Sequence, residues 1–172
     1  MQRSRSKTAG FTLIELLVVI VIMGIMISVV TLNIGSQNRE RETHQFALRL
    51  ISLMRLASDE AVLNGKLIGW QWNDQQYQFM QRYEDKWIAL EDDRLLKPNP
   101  IPSWIDSNFE VEGRAVEHLQ SPEQPQLLFL PSGELTSFTL ELFDGDDAET
   151  VHFRLKNNYA DLHITRIEFG EG

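Results

Sequence analysis

The chain has 172 residues, a length that corresponds to about one domain, and its 25 acidic and 16 basic residues give a formal net charge of −9. An acidic protein repels phosphate backbones, so this balance argues against nucleic-acid binding. The absence of cysteine excludes disulfide bonds, thiol catalysis and cysteine-ligated zinc.

The charge is distributed unevenly along the chain. Residues 1–10 contain Arg3, Arg5 and Lys7 but no acidic residue, and the remainder has 13 basic against 25 acidic residues, a formal charge of −12. Basic residues that precede an apolar segment hold the N-terminus in the cytoplasm. Residues 1–10 are therefore predicted to be a cytoplasmic leader, with the C-terminal part of the chain on the other side of a membrane.

Residues 11–30 form an apolar run of 20 residues. As a helix this run spans about 30 Å, the thickness of the hydrocarbon core of a bilayer. A secretory signal peptide is the alternative, but its apolar region is shorter and is followed by a small-residue cleavage site. Here the better small-residue site, Ala9-Gly10, precedes the run. We therefore predict a retained transmembrane segment over residues 11–35.

One carboxylate, Glu15, lies within the apolar run. An unpaired carboxylate inside a bilayer is costly, and a plain anchor has no use for it. Cleavage after Gly10 would make Phe11 a positively charged amino terminus, one helical turn from Glu15. Pairing with that terminus, in the same or a neighbouring subunit, would neutralise both charges. We predict that Glu15 acts in assembly rather than being an accidental polar residue near the interface.

The segment Gly10-Phe-Thr-Leu-Ile-Glu15, after a short basic leader, resembles the processing motif of type IV prepilins and type II secretion pseudopilins. In that family a prepilin peptidase cleaves after the glycine on the cytoplasmic side and methylates the new terminal residue. The resemblance implies cleavage between Gly10 and Phe11 and an N-methylphenylalanine at Phe11.

Helical periodicity continues beyond the membrane segment. Residues 36–64 are predicted to form an amphipathic extension of the helix, with a polar, solvated stretch at Gln37–Thr43 and a stop at Asn64-Gly65. Apolar residues recur there at spacings of three and four, as expected for a helix face that packs on a core. They are Phe46, Leu50, Leu53, Met54, Ala57 and Ala61.

From Gly65 onwards the apolar period changes to two, which predicts a β domain over residues 65–172. The strand candidates are Ile68–Trp72, Tyr77–Tyr83, Trp87–Leu90, Phe109–Val111, Gln126–Leu130, Leu135–Phe143, Val151–Lys156 and Leu162–Phe169. Six or more short strands with regular breaks indicate two packed antiparallel sheets. The predicted fold class is α+β: a long N-terminal helix, transmembrane in its first half, packed on a β-sandwich-like, pilin-like C-terminal domain.

Within pseudopilins, the layout most resembles the H-type minor pseudopilin of type II secretion. The supporting segments are Tyr77–Trp87, Asp93–Leu96 and Phe129–Glu134 leading to Phe138–Leu140. FimT/FimU-like minor pilins of type IV pili share the general layout and remain the alternative.

The H-type resemblance implies a single-pass protein of the bacterial inner membrane with a periplasmic β domain. It would join the pseudopilus at or near its tip and help export folded proteins across the outer membrane. The implied partners are the I-, J- and K-type minor pseudopilins, the G-type major pseudopilin, the prepilin peptidase and the inner-membrane assembly platform.

No motif indicates catalysis, a cofactor or a metal. Asp144-Gly145-Asp146-Asp147 lacks the 12-residue pattern of an EF-hand and is interpreted as a hairpin turn. The four histidines are scattered, and Ser132-Gly133 lacks the Gly-x-Ser-x-Gly elbow of a serine hydrolase. A membrane-tethered enzyme and a plain periplasmic binding module are therefore the weaker alternatives.

The strand pattern predicts the positions of the four tryptophans. Trp70, Trp72 and Trp87 lie in predicted strands and are expected in the core. Trp104, beside the proline-rich segment Lys97–Pro102, is a candidate contact for a partner or cargo, but packing over a sheet edge is the favoured interpretation.

Overall fold

The computed structural model describes residues 12–73, 75–116, 124–146, 151–158 and 161–168; within its helix, the side chains of residues 27–37 lie outside this description. The chain divides into two compact units, Met1–Asn38 and Arg39–Gly172. The helix, α1, comprises Leu13–Asn64 and contributes to both units.

In the second unit, one face of α1 is fully buried. Leu50, Met54, Ala57 and Ala61 are inaccessible to solvent, which confirms these members of the predicted packing stripe, whereas Phe46 is only partly buried. Ala47, which was not predicted, is also inaccessible. Alanines at three of these positions let the helix backbone approach the strands beneath closely.

The helix ends where the Asn64-Gly65 pair predicts. Gly65 has φ of 62°, and the N–H of Lys66 donates to the carbonyl of Ala61 at 3.1 Å. A left-handed glycine followed by this six-to-one hydrogen bond is a Schellman cap, which satisfies a carbonyl at the helix end.

Among the described residues, ten strands follow the helix. They are β1 (Ile68–Trp72), β2 (Gln76–Tyr83), β3 (Lys86–Ala89), β4 (Asn99–Pro100), β5 (Ile105–Val111), β6 (Arg114–Ala115), β7 (Leu127–Phe129), β8 (Phe138–Asp144), β9 (Val151–Asn158) and β10 (Asp161–Glu168). The first sheet has the order β3-β2-β1-β7, with β4 also paired to β2, and the second has the order β10-β9-β8-β5-β6. All the pairings are antiparallel, which confirms the predicted helix on two antiparallel sheets.

Aromatic rings join the two sheets in the core. The indole of Trp70, in β1, meets the ring of Phe109, in β5, edge to face with 5.6 Å between centroids. The indole N–H of Trp72 donates to the Ser107 hydroxyl at 3.2 Å, so it has a partner in the opposite sheet. Both tryptophans are buried, as predicted.

The prediction for Trp87 is wrong. Its neighbour in the β2–β3 register is Arg82, whose guanidinium carbon lies 5.5 Å from the centroid of the indole ring. This pair lies on the face of the first sheet opposite to buried Phe79, because side chains alternate along β2. Trp87 is therefore half-buried outside the core.

Strand boundaries differ from the prediction where the chain changes sheet. The expected strand Leu135–Phe143 is in fact a single bridge of Leu135 to Phe129 in the first sheet, followed by β8 from Phe138 in the second.

At the other end of β8, Gly145 lacks the positive φ of a type I′ turn. Its N–H donates to the carbonyl of Trp104 at 2.9 Å.

Gly69 has no room for a side chain, and this makes a testable prediction. A Cβ at this position would lie 2.5 Å from two carbons of Pro125 and 3.0 Å from the Trp87 ring. We expect Gly69→Ala to lower the free energy of unfolding by about 1–3 kcal/mol, measured by chemical denaturation. Gly145→Ala, whose Cβ would meet nothing closer than 3.5 Å, is the control and should change stability by less than about 0.5 kcal/mol.

Candidate assembly site

The processing residues Gly10 and Phe11, with the rest of the leader, lie outside the described residues. Thr12, the first described residue, caps α1. Its hydroxyl oxygen accepts a hydrogen bond from the N–H of Glu15 at 3.3 Å, and its carbonyl accepts from the same N–H at 3.1 Å. Thr12 thus fixes Glu15 in the first helical turn, where a carboxylate interacts favourably with the positive end of the helix.

The part of α1 that lies in the first unit carries apolar side chains on every side. Between Leu13 and Met26 each large apolar side chain is exposed, from 42% at Val19 to 86% at Leu13. Such a surface requires an apolar surrounding, either lipid or other helices. Among the described residues, no helix is both long enough and apolar enough to cross a membrane. The predicted run extends to residue 30, and the side chains of residues 27–30 are not described.

Two charged residues, Arg39 and Glu40, begin the second unit; we call them the neck. The Arg39 guanidinium donates to Asp146 at 2.6 Å and to Asp144 at 3.2 Å, at the end of β8. The hydrogen bond with Asp146 and the charge of Asp144 together raise the pKa of Arg39. Glu40 accepts two hydrogen bonds from Arg166 of β10, at 2.7 and 3.1 Å.

The stretch after the neck is less solvated than predicted. Thr43 is only 1% exposed, so the expected solvated segment Gln37–Thr43 is wrong at its C-terminal end. The imidazole of His44 stacks on the ring of Phe153 with 4.8 Å between centroids. Side chains from β8, β9 and β10 therefore hold the helix from Arg39 onwards.

A polar cleft of about 420 Å³ lies beside the neck, lined by residues that include Arg39, Trp72, Trp104, Asp106 and Asp146. Trp104 is half-buried there and its indole N–H has no hydrogen-bond partner among the described residues. Asp144 and Asp146 are the acceptors for Arg39, and Asp147 lies outside the described residues. Within that part of the chain, no three His, Cys, Asp or Glu residues are placed to share a metal ion.

Glu141 of β8 lies on the outer face of the second sheet between charged neighbours. Arg154 donates to one of its oxygens at 2.7 Å, and the imidazole of His152 lies 3.7 Å from the other. Burial alone would raise the pKa of Glu141, but the hydrogen bond and charge of Arg154, with Asn108 and His152, together lower it.

The comparisons with known proteins assign the family. Residues 47–158 match the family described as Type II transport protein GspH, and residues 5–31 match the Prokaryotic N-terminal methylation motif. The type II secretion system protein H of Aeromonas hydrophila is 34% identical over 155 residues, which are 83% of this chain and 85% of the relative. Its namesake from Pseudomonas aeruginosa is 35% identical over 145 residues, or 77% of this chain and 81% of that protein.

Solved structures agree with the sequence comparisons. The minor pseudopilin EpsH from the type 2 secretion system of Vibrio cholerae has a TM-score of 0.59 at 25% identity, covering 76% of this chain and 99% of that one. The solution structure of E. coli GspH, at 24% identity and a TM-score of 0.57, covers 74% of this chain and 88% of that one and supports the fold.

A helix on two antiparallel sheets, preceded by a methylation motif, defines the class of pilin-like subunits. Within this class the chain belongs to the GspH family of type II secretion minor pseudopilins. The H-type prediction is thereby confirmed over the FimT/FimU-like alternative. The family is one of structural pseudopilins.

The lowered pKa of Glu141 makes a prediction about acid stability. A carboxyl group whose pKa is below its ordinary value of 4.5 stabilises the fold above that pH, and this contribution is lost as the pH falls through the folded-state pKa. Arg154→Met removes the counter-charge and leaves the burial, so the acid-unfolding midpoint should move to higher pH. Circular dichroism against pH measures it. Lys156→Met, an exposed cation of the same strand, should leave the midpoint unchanged.

Proposed function

We propose that this GspH-family protein is built into the periplasmic pseudopilus at or near its tip, where it helps drive folded proteins across the outer membrane. The observation that carries the proposal is the exposed apolar surface of α1 over Leu13–Met26 with a single acid, Glu15, in its first turn. A soluble subunit has no use for such a surface, whereas a helix that passes from a membrane into a fibre shaft needs it.

Processing would divide the chain into four segments. A prepilin peptidase removes the leader, residues 1–10, and methylates Phe11; residues 11–35 span the inner membrane, 36–64 extend the helix, and 65–172 form the periplasmic domain. The match to an N-terminal methylation motif over residues 5–31 supports this order. The basic leader would keep the cleavage site on the cytoplasmic side.

Glu15 would act as the charge that registers one subunit against the next. Its place in the first turn, three residues after the capping Thr12, supports this role. Four positions in the sequence separate it from Phe11, where cleavage would create the new amino terminus. Pairing with the terminus of a neighbouring subunit neutralises two charges in an apolar shaft, and only the correct axial position does so.

The periplasmic domain, residues 65–172, would make the remaining contacts between subunits. The partners we propose in the fibre are the I-, J- and K-type minor pseudopilins and the G-type major pseudopilin. The inner-membrane assembly platform is the proposed partner during assembly. This mechanism is assembly, which needs neither a cofactor nor a catalytic residue.

Processing can be tested at the amino terminus. Mass spectrometry of the protein purified from membranes should find a chain that begins at Phe11 and carries one added methyl group. A protein that begins at Met1, or after residue 30, would contradict the proposal. The substitution Gly10→Val should leave the leader attached, while Ala9→Gly, next to the junction, should permit cleavage.

The role of Glu15 can be tested without disturbing the membrane segment. Glu15→Gln keeps the size and removes the charge, so the subunit should remain in the membrane and its recovery with the pseudopilus should fall by about tenfold or more. The measurement is co-purification with the major pseudopilin. Glu15→Asp retains the charge, so this subunit should be recovered with the pseudopilus to a greater extent than Glu15→Gln. Normal incorporation of the Glu15→Gln subunit would favour a plain anchored binding module.

A further inference from the structure

The strand β10 forms an unusually long free edge. It pairs with β9 along all eight of its residues and with no other strand in the described part of the chain. Other edge strands, β3, β4, β6 and β7, have two to four residues each. Edge strands expose backbone N–H and C=O groups that can pair with another chain, so long ones are usually blocked.

The edge of β7 is closed by its own chain. The N–H of Leu128 donates to the hydroxyl oxygen of Thr136 at 3.0 Å, and the N–H of Thr136 donates to the carbonyl of Leu128 at 3.1 Å. Both outward groups of the central β7 residue therefore have partners, and no site for a further strand remains.

The edge of β5 is closed in a similar way beyond its two-residue pairing with β6. The N–H of Ser107 donates to the carboxylate of Asp106 at 2.7 Å. The carbonyl of Phe109 accepts from the N–H of Val116 at 2.9 Å. Side chain and loop thus occupy positions that a neighbouring strand would need.

Within the described part of the chain, the one outward carbonyl of β10 that has a partner is that of Leu162. Arg55 of the helix donates to the carbonyl of Leu162 at 2.7 Å, which places that group on the side away from β9. Backbone groups alternate sides along a strand, so those of Ile164 and Arg166 also face away from β9. Among the described residues neither of these N–H groups nor their carbonyls has a hydrogen-bond partner.

The open edge is held in place before any partner arrives. The helix fixes it at two points, through Arg55 at Leu162 and through the ion pair of Glu40 with Arg166. Leu162 is buried beneath the helix. A strand already held in the extended conformation loses little conformational freedom when a second strand pairs with it.

We propose that the outer edge of β10, at Ile164–Arg166, receives an extended strand from the domain of a neighbouring minor pseudopilin by strand addition. This inference rests on the proposed place of the protein in a fibre of pilin-like subunits. Main-chain hydrogen bonds to Ile164 and Arg166 supply the contact, and Arg55 marks the end of the available edge.

Charge selects the chemistry of the incoming strand. Three carboxylates, Asp161, Glu168 and Glu40, lie along β10. Arg166, the one arginine or lysine within the strand, pairs with both Glu40 and Glu168, so a net negative charge remains. An incoming strand that carries lysine or arginine complements these carboxylates. A second copy of the chain is disfavoured, because residues 11–172 carry a formal charge of −12 and copies repel each other.

Amide hydrogen exchange at single-residue resolution tests the proposal with an internal control. The mature full-length chain in detergent is measured alone and with purified full-length I-, J- and K-type minor pseudopilins of the same secretion system. Alone, the amides of Ile164 and Arg166 should exchange rapidly, whereas those of His163 and Thr165 are already protected by β9. One of the three partners should slow amide exchange at Ile164 and Arg166 by about tenfold or more and leave exchange at His163 and Thr165 unchanged.

A proline variant supplies an independent test. Arg166→Pro removes an outward N–H and leaves the β9 ladder intact, so binding to that partner should weaken by about tenfold, since backbone hydrogen bonds are lost. Arg166→Ala, which removes the ion pairs with Glu40 and Glu168 but keeps the N–H, is the matched control and should bind nearly as well. If the proline variant proves unfolded by circular dichroism, the exchange measurement alone decides.

The outcomes separate this inference from the proposed function. A complex that forms without slowing exchange at Ile164 and Arg166 overturns strand addition and leaves the pseudopilin function intact. Slowed exchange in the isolated chain at high concentration identifies a second copy as the occupant and also overturns it. Failure to associate with any pseudopilin, in cells or in detergent, contradicts the proposed function itself.

Discussion

The fold depends on the close packing of one face of α1 against the two sheets. Ala47, Ala57 and Ala61 have no side chain beyond Cβ, so the helix axis can lie near the strands while Leu50 and Met54 fill the space between them. A larger residue at any of the three alanines would push the helix outward and strain the aromatic contacts that join the sheets. This helix face and the inner faces of both sheets form one buried core.

The ion pairs of the neck have a different role from the core. Exposed pairs such as Arg39 with Asp146 contribute little to stability on their own, because water screens them. They link the helix to the second sheet, because Arg39 pairs with the end of β8 and Glu40 pairs with β10. A mechanical load on the helix would therefore reach the second sheet through side chains bonded to it, in addition to the apolar contact.

Local patterns in the sequence predicted what depends on neighbouring residues, and missed what depends on distant ones. The helix stop at Asn64-Gly65, the strand Ile68–Trp72 and the packing stripe of α1 are encoded within a few residues of each other. Leu135 pairs with nearby Phe129 in the first sheet, whereas Phe138 pairs with Val111 in the second, and no alternation of apolar residues records this change of sheet. Likewise the motif around Glu15 is contiguous, whereas Arg39 and Asp144 are 105 residues apart and only the folded chain brings them together.

The order in which strands enter the sheets has a kinetic consequence. The chain supplies β1–β4 to the first sheet and β5–β6 to the second, returns to the first with β7, and completes the second with β8–β10. Neither sheet is complete until a late segment has arrived. The pairings of β7 with β1 and of β8 with β5 join residues far apart in sequence, which slows folding. A chain emerging N-terminus first would present a helix early and a finished domain only after residue 168 is available. The helix would thus be available well before the domain is competent to meet a neighbour.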